Sequence, residues 1–144
     1  MRNSRRILAL AFAISLLKAA PAHAQRLDDI VSIVTLAWSQ GDTRVLAAMA
    51  ARDGISIETK EGRMGPLGPR QASAVLRRLL EDRETVSIRQ GQTHVVGGSP
   101  RRAFSEIRWT TRAPDTTQSE RLTIFIELVQ EGERWRITQI RMLP

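Results

Sequence analysis

Apolar positions recur along this chain with two different periods, and the change of period divides it. Leu27, Ile30, Val31, Val34, Ala37 and Trp38 fall at i, i+3, i+4, i+7, i+10 and i+11, the single stripe of an amphipathic helix. Asp28 and Asp29 then belong in its first turn, where the helix dipole favours negative charge. Gly41-Asp42 ends the stripe, and Asp42 or Thr43 can cap a short second helix carrying Val45, Leu46 and Met49. Ile55 to Thr59 alternates as a strand does. Gly62, Gly65, Pro66, Gly68 and Pro69 mark the next stretch as a loop. Ala72, Val75, Leu76, Leu79 and Leu80 restore the helical stripe, with Arg70, Arg77, Arg78 and Glu81 off it.

From Glu84 onward the period falls to two. Thr85 to Val96 reads as one long strand with a bulge at Gly91. Gly97 to Pro100 turns the chain into Arg102 to Arg112, and Ala113 to Ser119 turns it into Leu122 to Gln130. Glu131-Gly132-Glu133 leads to a last strand over Trp135 to Leu143. Connections this short force antiparallel neighbours. Three helices, one early strand and a four-strand meander predict an α+β domain with its helices on one face of a sheet.

Before the first helix, Arg2, Arg5 and Arg6 precede an apolar run from Ile7 to Leu17, and Ala22-His23-Ala24 offers a small-x-small cleavage pattern. Residues 1–24 therefore read as a secretory signal peptide cleaved after Ala24, which directs the protein to the periplasm or the exterior. The run stops at Lys18 and Pro21, short of the roughly 20 residues a span requires. No membrane span is expected after cleavage. The whole chain has 22 Lys+Arg against 15 Asp+Glu, a net of +7. Losing Arg2, Arg5, Arg6 and Lys18 lowers the bases to 18 against the same 15 acids, a net of +3. Much of the apparent basicity is thus an address. Arg77-Arg78 and Arg101-Arg102 are the remaining basic pairs, without interleaved stacking aromatics, so nucleic acid is not an expected partner. Zero cysteines exclude a disulfide framework and thiol chemistry. Residues 25–144 form one expected domain.

The order helix–helix–strand–helix followed by four long strands resembles the nuclear transport factor 2-like superfamily (cystatin-like cone, SnoaL-like). Ala37-Trp38-Ser39-Gln40-Gly41-Asp42 looks like that superfamily's step from first to second helix, and Ile55-Ser56-Ile57 like its first strand. Gly132 to Arg141 looks like its final strand, where a Gly-x-x-Trp turn is common. The Gly65 to Leu80 segment is similar to that of a small exported bacterial group of unknown function. The resemblance implies a curved antiparallel sheet wrapped around about three N-terminal helices, as a cone-like α+β barrel. The superfamily holds ketosteroid isomerases, polyketide cyclases, dehydratases and non-enzymatic binding domains. Its enzymes usually place a Tyr, an Asp or a His–Asp pair in the cone. This chain has no Tyr, and its late strands hold no Asp. No catalytic residue is carried over.

The candidate residues follow from strand parity. In a regular strand His94 shares the inward face of Val86 and Ile88, where a lone imidazole could line a pocket or move a proton. A bulge at Gly91 would put Val95 there instead. Trp38, Trp109 and Ile126 would line any pocket between helices and sheet, or simply fill the core. Phe104, Glu106 and Arg108 share one strand face, as do Phe125, Glu127 and Val129. If Ile107 and Trp109 face the helices, those six residues form an outer surface of aromatics among charges, suited to pairing two copies through their sheets. With only His94 left after cleavage, a histidine metal cluster is excluded, and no cofactor motif is present. The expected function is an exported, non-enzymatic module binding a small apolar ligand or a protein partner, paired as a homodimer. The alternative is an isomerase-, dehydratase- or cyclase-type enzyme using His94 or Glu106 inside the cone.

Overall fold

The computed structural model describes residues 22–144; the expected export segment lies almost wholly outside them. Helix α1 (Ala22–Gln40) begins earlier than its apolar stripe, so Asp28 and Asp29 fall in its second turn and not its first. The stripe itself is buried as expected: Leu27, Val31, Val34, Ala37 and Trp38 are each at most 4% exposed. Gly41, at φ +65°, ends the helix in the left-handed conformation that glycine adopts without strain. Asp42 caps α2 (Thr43–Ala48), its carboxylate accepting from the Val45 amide at 3.2 Å.

Strand β1 (Ile55–Thr59) is followed by a second strand, β2 (Gly62–Leu67), where Gly and Pro predicted a loop. β2 is an exposed sheet edge, so burial imposes no alternation on it, and Pro66 can sit there because an edge strand need not donate every N–H. Gly65 is required by close approach: at φ +109°, a Cβ there would lie 2.6 Å from the Ile55 carbonyl oxygen. Helix α3 (Pro69–Glu81) then buries Ala72, Leu76 and Leu80. Four long strands complete the chain: β3 (Glu84–Val96), β4 (Arg102–Arg112), β5 (Ser119–Glu131) and β6 (Arg134–Leu143).

The six strands form one open sheet in the order β2-β1-β6-β5-β4-β3. The sheet is mixed, where an antiparallel one was expected. β1 pairs parallel to β6, with Ile57 opposite Ile140, and every other neighbour is antiparallel. Short turns dictate direction only between consecutive strands; β1 and β6 are separated by most of the chain, so no turn constrains them. The helices cover one face. Trp38, Leu46, Leu76, Ile107, Trp109, Ile124, Ile137 and Ile140 fill the space between, each at most 2% exposed. Trp38 and Trp109 meet edge to face, ring centres 5.6 Å apart.

Two irregularities decide which residues face outward. On β3 the register shifts between Gln90 and Thr93, at the expected bulge. Before it Ile88 lies opposite inward Trp109; after it Thr93 lies opposite inward Ser105, their hydroxyl oxygens 3.0 Å apart. Parity has flipped, so His94 pairs with Phe104 on the outer face and not with the cone. Val95 takes the inward parity opposite Ala103 but is 44% exposed near the strand's end. An additional shift between Thr85 and Ser87 leaves Val86, expected inward, 50% exposed. On β6 a shift opposite Glu127/Leu128 skips Thr138, whose hydroxyl donates to the Glu127 carbonyl at 3.2 Å.

Candidate functional site on the outer sheet face

These registers align residues of four strands into rows on the outer face. One row is His94, Phe104, Glu127 and Gln139, successive partners across β3, β4, β5 and β6. The next contains Glu106, Phe125 and Arg141. Phe104 and Phe125 are therefore diagonal neighbours, the spacing at which aromatic side chains reach each other across a sheet. They stay 43% and 39% exposed. Around them the face forms a depression of about 350 Å³, lined by Gln92, His94, Phe104, Glu106, Phe125 and Arg141, among others. Ser105 and Ile126, inward residues at 3% and 2% exposure, meet it only as floor.

Most charges on this face are already paired. Arg102 bonds Glu127, and Arg108 Nε donates to Glu106 Oε1 at 3.0 Å. Glu58 of β1 accepts from Arg141 Nε at 3.3 Å and from Gln139 Nε2 at 3.1 Å. His94 Nε2 lies 3.1 Å from Gln92 Oε1. Gly91 makes room for Glu106: a Cβ on that glycine would stand 3.1 Å from the Glu106 Cβ. The bulge thus seats the carboxylate as well as turning His94 outward.

The structure brings His94, Phe104, Glu106, Phe125 and Glu127 together, with Arg108 beside them through its ion pair. Val129 does not join them. It is 8% exposed, set between Arg102 and Arg136 in the register, and presents little surface. Trp38 and Trp109 lie on the other side of the sheet as core. Gln92, Gln139, Arg141 and Glu58 were missed. The signal for the β6 pair is the three-residue step from Ile137 to Ile140, which breaks alternation and marks the bulge that sends Gln139 and Arg141 outward.

At the end of the domain where α1 and α3 finish and β3 begins, a second depression of about 580 Å³ borders the two core tryptophans, Ser39, Arg83 and Thr85. Trp109 Nε1 donates to Thr85 Oγ1 at 2.9 Å, and the Arg83 guanidinium stands 6.0 Å from the Trp109 ring centre. Trp38 Nε1 is buried with no acceptor among the described residues. Buried donors are rarely left unpaired, which makes this one conspicuous.

The chain has the cystatin-like, nuclear transport factor 2-like fold that the sequence resemblance implied. It superimposes on a DUF4783 family protein from Bacteroides ovatus with a TM-score of 0.62 at 14% identity, covering 77% of this chain and 91% of the other. A domain of unknown function with a cystatin-like fold from Nostoc punctiforme gives 0.65 at 14% identity, with 87% and 78% covered. A hypothetical protein with a ketosteroid isomerase-like fold from Catenulispora acidiphila, solved in complex with trimethylamine, gives 0.63 at 19% identity, with 81% and 85% covered. No family model and no curated protein matches the chain. Likeness at this level concerns the fold. Among the described residues no helix is long and apolar enough to cross a membrane.

Proposed function

We propose that this protein is an exported, non-catalytic binding domain that pairs with a second copy through the outer face of its sheet. The observation that carries the reading is the pair of exposed phenylalanines, Phe104 and Phe125, set in a shallow depression and ringed by charges. That ring is balanced, Arg102, Arg108 and Arg141 against Glu58, Glu106 and Glu127. An aromatic-centred face carrying both signs is suited to a two-fold partner of identical chemistry, because each copy offers both signs to the other. The enzyme alternative loses its two candidates. His94 and Glu106 both lie on the outer face, on the far side of the sheet from the cone.

Sedimentation velocity at micromolar concentration tests the pairing. The wild-type protein is expected to sediment as a dimer, and Phe104→Asp as a folded monomer whose melting temperature no longer depends on protein concentration. A monomeric wild type would discard the dimer. The export part stands on the leader alone; an exported product beginning at Gln25 supports it, and an intact Met1 on a cytosolic product sinks it.

The Trp38 indole favours a second reading, a small apolar ligand with one oxygen acceptor held at the α1–α3 end. Such a ligand would sit in the depression that borders both tryptophans and accept from Trp38 Nε1. Titrating a medium-chain carboxylic acid while following the indole N–H resonances tests it: the Trp38 signal should move in a saturable way, and a static signal counts against the reading.

A further inference from the structure

We propose that the cleft between α2 and α3 is an anion site for a phosphate-type dianion. Arg44 of α2 and Arg70 and Arg77 of α3 line a shallow cleft of about 340 Å³, with Ala47 and Pro69 as its apolar wall and Ser73 at its base. Arg70, Ser73 and Arg77 stand at i, i+3 and i+7, one face of α3. Arg44 faces them because Thr43 Oγ1 and Ser73 Oγ, 3.2 Å apart, tie α2 to α3 next to it.

The charge at this cleft is uncompensated. Arg83, Arg102, Arg108, Arg112 and Arg141 each hold a carboxylate within ion-pair distance. Arg44, Arg70 and Arg77 have none among the described residues, although Glu81 follows Arg77 by one helical turn. A fourth cation stands at the same end, since Arg136 Nη1 donates to the carbonyl of Ala48, another residue of the cleft. Convergent like charges repel unless an anion sits between them. Guanidinium groups bind oxyanions through paired N–H donors, and several of them offer more donors than the two oxygens of one carboxylate can use. A phosphate dianion supplies more oxygens and a second charge. The match is to phosphate chemistry, either free or on a lipid headgroup.

The site is independent of the sheet pairing proposed above, since it lies on the helices. The test titrates purified protein with inorganic phosphate and pyrophosphate at low ionic strength, following the arginine Nε–Hε resonances and the heat of binding. One saturable site is expected, weakened by added salt. The double variant Arg70→Gln/Arg77→Gln should bind at least about tenfold more weakly, as expected for loss of charge-assisted hydrogen bonds, while keeping the wild-type melting temperature. Arg121→Gln, an exposed arginine on β5, should bind like wild type. Vesicles containing phosphatidic acid, whose headgroup is a phosphate monoester, against phosphatidylcholine alone, separate the two sources: capture lost in the double variant assigns the site to headgroups, and free-anion binding without capture assigns it to soluble phosphate. Absence of both, or equal weakening by Arg121→Gln, overturns the proposal.

Discussion

Strands β4 and β5 carry two faces interleaved residue by residue, and the two obey different rules. Inward, Ala103, Ser105, Ile107 and Trp109 are at most 3% exposed, as are Ile124, Ile126 and Leu128. Outward, Phe104 and Phe125 stand near 40% exposed among paired charges. The inward face is fully specified by packing, since each side chain there must fill a fixed volume. The outward face satisfies its charges internally yet leaves its aromatics in water, which packing within one chain does not explain.

Breaking the inward face should cost most. Trp109→Ala removes the edge-to-face partner of Trp38 and opens a cavity under α1, so folding free energy should fall by about 3–5 kcal/mol, measured by urea denaturation. Thr85→Val probes the same side more gently. It leaves the Trp109 indole N–H without its hydroxyl acceptor, and a loss of about 1–3 kcal/mol is expected by the same measurement. On the outward face, Glu127→Gln cuts the ion pair with Arg102, and its effect on stability should stay within about 1 kcal/mol. If that exposed substitution costs as much as Trp109→Ala, the contrast between the faces is wrong. The double variant Phe104→Thr/Phe125→Thr sharpens it further: it keeps strand propensity and sets no new charge opposite Glu127 or Glu106, so it should cost the monomer well under what Trp109→Ala costs while abolishing the dimer in sedimentation.

Much of the architecture was legible because most elements advertise one buried face. The stripes of α1 and α3 and the alternation of β5 are the direct imprint of a one-sided core, and each is buried on most of the residues its period picks out, Ile30, Val75 and Leu79 only partly. β2 was illegible for the converse reason: exposed at the sheet edge in all but the half-buried Leu67, it has no buried face to imprint a period, and its Gly and Pro read as a loop. The site was half legible. Phe104, Glu106, Phe125 and Glu127 follow from simple parity, whereas His94, Gln139 and Arg141 depend on bulges that reverse it. Val129 carries the outward parity but is covered, because exposure depends on flanking strands as well as on direction.

Local spacing alone, then, determines the helices, the long strands and the α+β class. These rest on interactions between residues a few positions apart, which a linear reading contains. The tertiary structure decided the parallel seating of β1 against β6 and the outward turn of His94. It also decided the orphaned Trp38 indole and the meeting of Arg44 with Arg70 and Arg77. Each of these joins segments far apart in the chain, or hangs on a single extra residue in a strand. There the energy of the whole packed core, and not any local preference, selects the register.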